Sequence, residues 1–269
     1  MRLPRPDCIG TRNDKVVSSR GAQATWRSRW WESESDRPEG LSLHGLAGDL
    51  KGDYSTKGLM MTLTEREMPK LLLATTNRGK LREYRQLLEG LPFELVTPAD
   101  EGIDIAVAEN KKTFEENARL KATTYCGFSG LVTLADDSGL EVDALGGAPG
   151  IISARFAGEE ASDKDRIEHL LARLEGVPRE KRTARFRCVI AIATPEGRTE
   201  LCDGECQGLI AFEPKGENGF GYDPVFYLPE FGKTVAELTV EVKNQVSHRG
   251  KAARKAYRIL EQLAEKVKA

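Results

Sequence analysis

Apolar residues in this chain fall into two kinds of pattern. Leu71-Leu72-Leu73-Ala74 and Leu131-Val132-Thr133-Leu134-Ala135 are short continuous runs, which read as buried strands. Arg185 to Ile192 mixes alternation with a continuous run, as expected of a long central strand in a mixed sheet, and Thr199 to Cys202 reads as a further strand. Between the strands the spacing turns helical. Leu81, Tyr84, Leu87 and Leu88 line one face, and Asp165 to Leu171 is helix-like with His169 on its polar side. Thr113-Phe114-Glu115-Glu116 is a capping box, so a helix is predicted to start there. Phe114, Ala118, Ala122 and Tyr125 then face the core, with Asn117 and Lys121 one turn apart on another face. The last helix is predicted from about Lys251, with Ala252, Ala256, Ile259, Leu260, Leu263 and Val267 as its buried stripe. Alternating strands and helices of this length predict an α/β fold, a mixed central sheet flanked by helices.

Residues 1–68 differ from the rest. They are rich in Arg, Ser, Gly and Asp, lack apolar periodicity, and hold all three tryptophans, Trp26, Trp30 and Trp31. Disorder is the expectation there, with no signal-peptide layout and with acids that argue against a transit peptide. One reading places the true translation start near Met60, Met61 or Met68; the other is a tail whose tryptophans dock on the domain or a partner. Residues 69–269 carry the predicted domain. A net charge of -2 gives no overall polycationic surface, so stable nucleic-acid binding is not expected. No apolar run reaches membrane-spanning length. The five cysteines form no metal pattern, since Cys202 and Cys206 lack a second pair, and reduced structural thiols are expected.

Four segments carry candidate chemistry. Asp136 and Asp137 follow the strand that begins at Leu131, with a turn expected at Ser138-Gly139 and a fold-back at Gly146 to Gly150. Two acids at a strand's carboxyl end suit a hard divalent cation and an activated water, and equally a solvated turn. Thr75-Thr76-Asn77-Arg78-Gly79-Lys80 joins a strand to a helix N-terminus, an anion site in which Gly79 permits close backbone approach and Lys80 supplies a point charge. It is not a P-loop, and an ordinary βα turn fits as well. Phe220-Gly221-Tyr222-Asp223-Pro224, after Gly216 and Gly219, suits a loop closing over a flat ring, or a tight turn anchored by its aromatics. Lys243 and Ser247-His248-Arg249-Gly250 offer donors for carbonyl edges and phosphates, or a capped helix start with exposed cations.

Taken together these segments resemble the inosine/xanthosine triphosphate pyrophosphatases, the Ham1 or non-standard purine NTP pyrophosphatase family. The matching stretches are Thr75 to Lys80, Thr113 to Ala122, Ala135 to Leu140, Gly146 to Gly150 with Ser153-Ala154-Arg155, Gly219 to Pro224, and Ser247 to Gly250. They stand in the family's order across residues 69–269. One departure is Thr76, where Gly is frequent in the family.

The resemblance implies an elongated mixed sheet in two lobes, Maf/Ham1-like, with the active site in the cleft between them. It implies a cytoplasmic homodimer that uses Mg²⁺ to split ITP, dITP or XTP into monophosphate and pyrophosphate. Asp137 is then expected to activate water and help hold metal, with Asp136 beside it and Glu109 as the second metal-binding carboxylate. Thr75, Thr76, Asn77, Arg78, Gly79 and Lys80 are expected to cradle the phosphates, with Ser138 and Lys121 nearby. Phe220, Gly221, Tyr222, Asp223, Lys243, His248 and Arg249 are the expected nucleoside-binding set. Donors from His248, Arg249 or Lys243 would pair the 6-carbonyl of hypoxanthine and leave adenine's amino group facing donors, at about 1–3 kcal/mol for each buried unpaired donor. A Maf-like pyrophosphatase, whose first loop carries Ser-Pro-Arg-Arg, and a nucleotide-binding regulator without turnover are the alternatives.

Overall fold

The structure is a computed structural model that describes residues 68–268. Expectations placed on residues 1–67, including the tryptophan cluster and starts at Met60 or Met61, lie outside the described residues.

The sheet has seven strands and is open and mixed. In chain order these are β1 (Lys70–Leu73), β2 (Glu94–Val96), β3 (Val132–Val142), β4 (Thr183–Ala193), β5 (Thr199–Ile210), β6 (Phe226–Leu228) and β7 (Lys233–Thr234), and in space they run β2-β1-β3-β4-β5-β6-β7. β1 is parallel to both β2 and β3, and every later pairing is antiparallel. The helices are α1 (Arg78–Leu87), α2 (Phe114–Ser129), α3 (Asp163–Arg173), α4 (Val240–Val246) and α5 (His248–Lys268). Side chains alternate across the sheet. Leu71 and Leu73 pack with Tyr84 of α1 and with Ala252, Ala256 and Leu260 of α5, while Leu72 and Ala135 pack with Phe114 and Ala118 of α2. A third cluster joins Leu140, Phe186, Leu170 and Phe226 beyond them.

One expectation is corrected here. β3 does not end at the acids; it runs unbroken through Asp136, Asp137, Ser138 and Gly139 to Val142, and the turn follows at Asp143 to Gly146. The reason is the neighbour on the other side. β4 pairs with β3 along its whole length, from Thr133 to Val142, whereas β1 stops at Leu73 opposite Leu134. The acids therefore lie in mid-strand yet just past the carboxyl end of β1, where one edge of β3 is open. Gly139 is a packing glycine and not a turn glycine, because a Cβ there would sit 2.3 Å from the Gly150 carbonyl oxygen.

Two further details position the site. α5 starts at His248, earlier than the expected Lys251, and Ser247 caps it by accepting the Gly250 N–H at 3.1 Å. Gly204 of β5 lets this helix sit directly on the sheet, since a Cβ would lie 2.1 Å from the His248 carbonyl oxygen. The four cysteines among the described residues are free and buried.

Candidate active site

A cavity of about 410 Å³ opens where β1 ends. Its floor is the start of α1. Asn77 caps that helix, its Oδ1 accepting the Lys80 N–H at 3.0 Å, while the Asn77 N–H donates to Thr75 Oγ1 at 3.2 Å. Of the first N–H groups of the helix, those of Arg78 and Gly79 are left without an intrahelical acceptor, next to the positive end of the helix dipole. Thr75, Thr76, Asn77 and Lys80 line the cavity. Arg78 does not: it is exposed on the outer face of α1, so its side chain is not brought to the site. Gly79 is covered by the ring of Phe220, which comes within 2.6 Å of where a Cβ would be, so what approaches its backbone closely is an aromatic ring.

On the α2 side of the sheet stands Asp137. Its Oδ2 accepts from Asn117 Nδ2 at 2.9 Å and its Oδ1 from the Ser138 N–H at 2.9 Å. Burial pushes the Asp137 carboxyl above its ordinary value; Lys121 opposes this and Glu109 adds to it. Lys121 Nζ donates to Glu109 Oε1 at 2.6 Å and to the Asp136 carbonyl oxygen. Burial would drive its ammonium to lose a proton, but Asp136, Glu109 and Asp137 together hold it protonated. α2 begins as predicted, with Thr113 accepting the Glu116 N–H, but the Glu116 carboxylate reaches one residue further back, to the Lys112 N–H at 3.1 Å.

Asp136 is on the opposite side. Consecutive strand residues point to opposite faces, so its carboxylate is carried away from Asp137 and Glu109 toward α1 and α5. It is 1% exposed, pairs with Lys80 Nζ at 2.9 Å, and lies 3.5 Å from Arg249 Nη2. Burial would raise its pKa, but Lys80, Arg249 and Lys121 outweigh that and hold it well below the usual carboxylate range. The expected metal set of Glu109, Asp137 and Asp136 is thus not gathered in one place, and no group of three or more potential metal ligands occurs among the described residues. Glu109 and Asp137, both lining the cavity, remain as hard oxygen donors. That set fits Mg²⁺, which is bound through one or two carboxylates plus substrate phosphates and keeps several waters.

The buried charges continue in alternating sign. Arg249 Nη1 pairs with Glu83 Oε2 at 2.7 Å and its Nη2 donates to Ser138 Oγ at 2.9 Å. Glu83 Oε1 pairs with Lys243 Nζ at 2.6 Å, and Lys243 pairs in turn with Asp223. Asp223 also accepts the Phe220 N–H at 2.8 Å, which ties the glycine-rich loop to this network. The rings of that loop separate. Phe220 lies over the cations of Lys243 (5.0 Å) and Arg249 (5.4 Å), a face-on contact at the cavity. Tyr222 is a core anchor, 4% exposed, with its hydroxyl donating to the Ser153 carbonyl at 2.9 Å. His248 stacks on Phe186 at 4.6 Å, and burial, helped by Arg249 and Lys243, holds its imidazole well below its ordinary pKa and so neutral.

The structure therefore brings Glu109, Lys121, Asp137, Ser138, Phe220, Gly221, Tyr222, Asp223, Lys243, His248 and Arg249 to one cavity with the α1 loop. Sequence reasoning missed Glu83, which holds Lys243 and Arg249 together, and Asp163, which accepts the Gly221 N–H at 2.7 Å. The one hint of Glu83 is its place between Lys80 and Tyr84 on α1; a carboxylate there turns inward with the aromatic.

An open mixed sheet with a cation-rich, carboxylate-bearing cavity at the end of its first parallel strand is the architecture of a phosphate-handling α/β enzyme. The chain belongs to the Ham1 family, whose sequence model matches residues 71–259. A dITP/XTP pyrophosphatase of Desulforamulus reducens is 54% identical over 194 residues, covering 72% of this chain and 96% of that protein. One from Geobacter sulfurreducens is 52% identical over 185 residues, 69% of this chain and 93% of that one. The solved structure of a HAM1 protein from Coxiella burnetii superposes with a TM-score of 0.67 at 41% identity, covering 72% of this chain and all of that one.

Proposed function

We propose that this chain hydrolyses non-standard purine nucleoside triphosphates, ITP, dITP and XTP, to the monophosphate and pyrophosphate. That it is a hydrolase of the nucleoside triphosphate pyrophosphatase class rests on its family and on relatives of which it covers 96% and 93%. The observation that carries the finer reading is the cavity itself. Its lining presents Glu109, Asp137, Lys121 and Lys80 for a triphosphate, and Phe220, His248, Lys243 and Arg249 for a base.

In this reading Glu109 and Asp137 would hold Mg²⁺, which would supply charge neutralisation for the phosphate oxygens. Asp137, raised in pKa by burial, accepts the proton of a water whose oxygen attacks the α phosphorus. The bond from the α phosphorus to the bridging oxygen breaks, and pyrophosphate leaves with that electron pair. Lys80, Lys121 and the free N–H groups at the start of α1 bind the β and γ phosphates, so catalysis is chiefly positioning and electrostatics. Phe220 supplies an aromatic face for the base. Neutral His248, with Lys243 and Arg249 held by Glu83, presents donors to a 6-carbonyl, which discriminates against adenine. The family resemblance further implies a homodimer working in the cytoplasm on a small-molecule nucleotide. Among the described residues no helix is long and apolar enough to cross a membrane.

The test is product analysis with Mg²⁺ on ITP, dITP, XTP, GTP, ATP and dTTP. Monophosphate plus pyrophosphate, with ITP or XTP far ahead of ATP, supports the reading. Orthophosphate release or a pyrimidine preference would overturn it, and binding without turnover would favour a nucleotide-binding regulator.

A further inference from the structure

We propose that Asn117 is a positioning residue that sets the Asp137 carboxylate and the segment bearing Glu109 in one register. The proposal deepens the hydrolytic reading and rests on it. Asn117 lies in the first turn of α2 and is 0% exposed. Its planar amide is used at both ends. Nδ2 donates to Asp137 Oδ2 at 2.9 Å, and Oδ1 accepts the Lys111 N–H at 3.0 Å, two residues past Glu109. The chemistry fixes which end is which, because an ionised carboxylate only accepts and a backbone N–H only donates.

Residues 103–112 belong to no helix or strand, although Ile103, Ile105 and Val107 pack on the core beneath α2. The segment is pinned by Tyr125 Oη on the Ile105 carbonyl (2.9 Å), Arg155 Nη2 on the Glu109 carbonyl (3.0 Å) and Glu116 on the Lys112 N–H. Among the described residues, Asn117 alone hydrogen-bonds both this segment and Asp137. One turn along α2, Lys121 reaches Glu109 and the Asp136 carbonyl, so a single helical face aligns both acids. Asp at 117 would keep the acceptor for Lys111 but set a second carboxylate against Asp137, and Ala would leave both partners unpaired in a buried place.

Two variants separate the two ends. Asn117→Ala removes both, whereas Asn117→Asp removes only the donor to Asp137. We expect kcat for ITP to fall about 10- to 100-fold in both, with KM within about threefold of wild type. Hydrogen exchange at the Lys111 amide, read on nucleotide-free protein, should accelerate in Asn117→Ala and stay near wild type in Asn117→Asp. Wild-type kcat in either variant, or unchanged Lys111 exchange in Asn117→Ala, would overturn the proposal. Loss of the fold in both would do the same, by making Asn117 merely structural. A wild-type chain without turnover that still shows the exchange difference would fault the hydrolytic reading and leave the tie standing.

Discussion

Replacing Glu83 by Gln should cost this fold about 3–5 kcal/mol, the range for breaking a buried ion pair by removing one partner. Glu83 is 8% exposed and sits between two buried cations, Lys243 at 2.6 Å and Arg249 at 2.7 Å. Gln keeps one acceptor, so one cation retains a neutral hydrogen bond and the other meets an amide NH₂. Asp223 still faces Lys243, and Asp136 still lies near Arg249, which keeps the loss from exceeding that range. Against a total stability of roughly 5–15 kcal/mol, the effect is large. Urea unfolding at neutral pH measures it, provided the slope with denaturant is unchanged. The pH dependence supplies a second check. Burial pushes the Glu83 carboxyl up, but Arg249 and Lys243 outweigh it and hold it below its ordinary 4.5. A carboxyl with a depressed folded pKa contributes stability in full above its unfolded pKa and loses it as pH falls through the folded one. The gap between wild type and variant should therefore narrow as pH drops below 4.5. Taking the difference of the two proteins also removes Asp137, which burial pushes the other way and which Glu83 does not perturb. A gap under about 1 kcal/mol at neutral pH, the worth of an exposed pair, would refute the reasoning.

Other outcomes follow from the same geometry. Asp137→Asn should abolish turnover while nucleotide affinity, read by calorimetry, stays largely intact; a near wild-type rate would mean the base is misassigned. Lys243→Ala and Arg249→Ala should narrow the ratio of ITP to ATP turnover, with melting temperature followed alongside because both are buried; an unchanged ratio removes that residue from base selection. Gly204→Ala should destabilise by about 1–3 kcal/mol or more, since its methyl has to displace α5 backbone. Thermal unfolding at wild-type Tm would contradict that seating of the helix. Chelation of divalent cations should stop hydrolysis reversibly, and turnover persisting in excess EDTA would remove Glu109 and Asp137 from a metal role.

Much of this was readable from local patterns, for reasons the structure makes plain. β1, α1, α2 and α5 were legible because each buries a run or stripe against one partner, and their caps at Asn77, Thr113 and Ser247 use short-range hydrogen bonds. β3 was misread at its end because a carboxylate pair followed by Ser-Gly is the local signature of a turn. What overrides that signature is non-local: full pairing with β4 and the close approach of the Gly150 backbone to Gly139. Glu83 is hidden for the same reason, since its partner Arg249 lies 166 residues away in sequence. Tyr222 as an anchor of the turn, in contrast, is one of the two readings the loop allows, and its bond to Ser153, 69 residues away, decides for it.

The adjacent acids show how the pleat turns a sequence motif into two different devices. Read as a string, Asp136-Asp137 is one acidic site. Read on a strand, the pair must divide, one carboxylate to each face of the sheet. Asp136 faces α1 and α5, where Lys80 and Arg249 hold it ionised and where it holds them in turn. Asp137 faces α2 and the cavity, where burial makes it a stronger proton acceptor than a free carboxylate. The backbone between them links the two sides again, because Lys121 donates to the Asp136 carbonyl while pairing with Glu109. A shift of one residue in the register of β3 would turn Asp136 toward the cavity and Asp137 toward the cations, exchanging the two environments. The long pairing with β4 and the Gly139 contact therefore do more than support the sheet. They fix which acid meets the cavity.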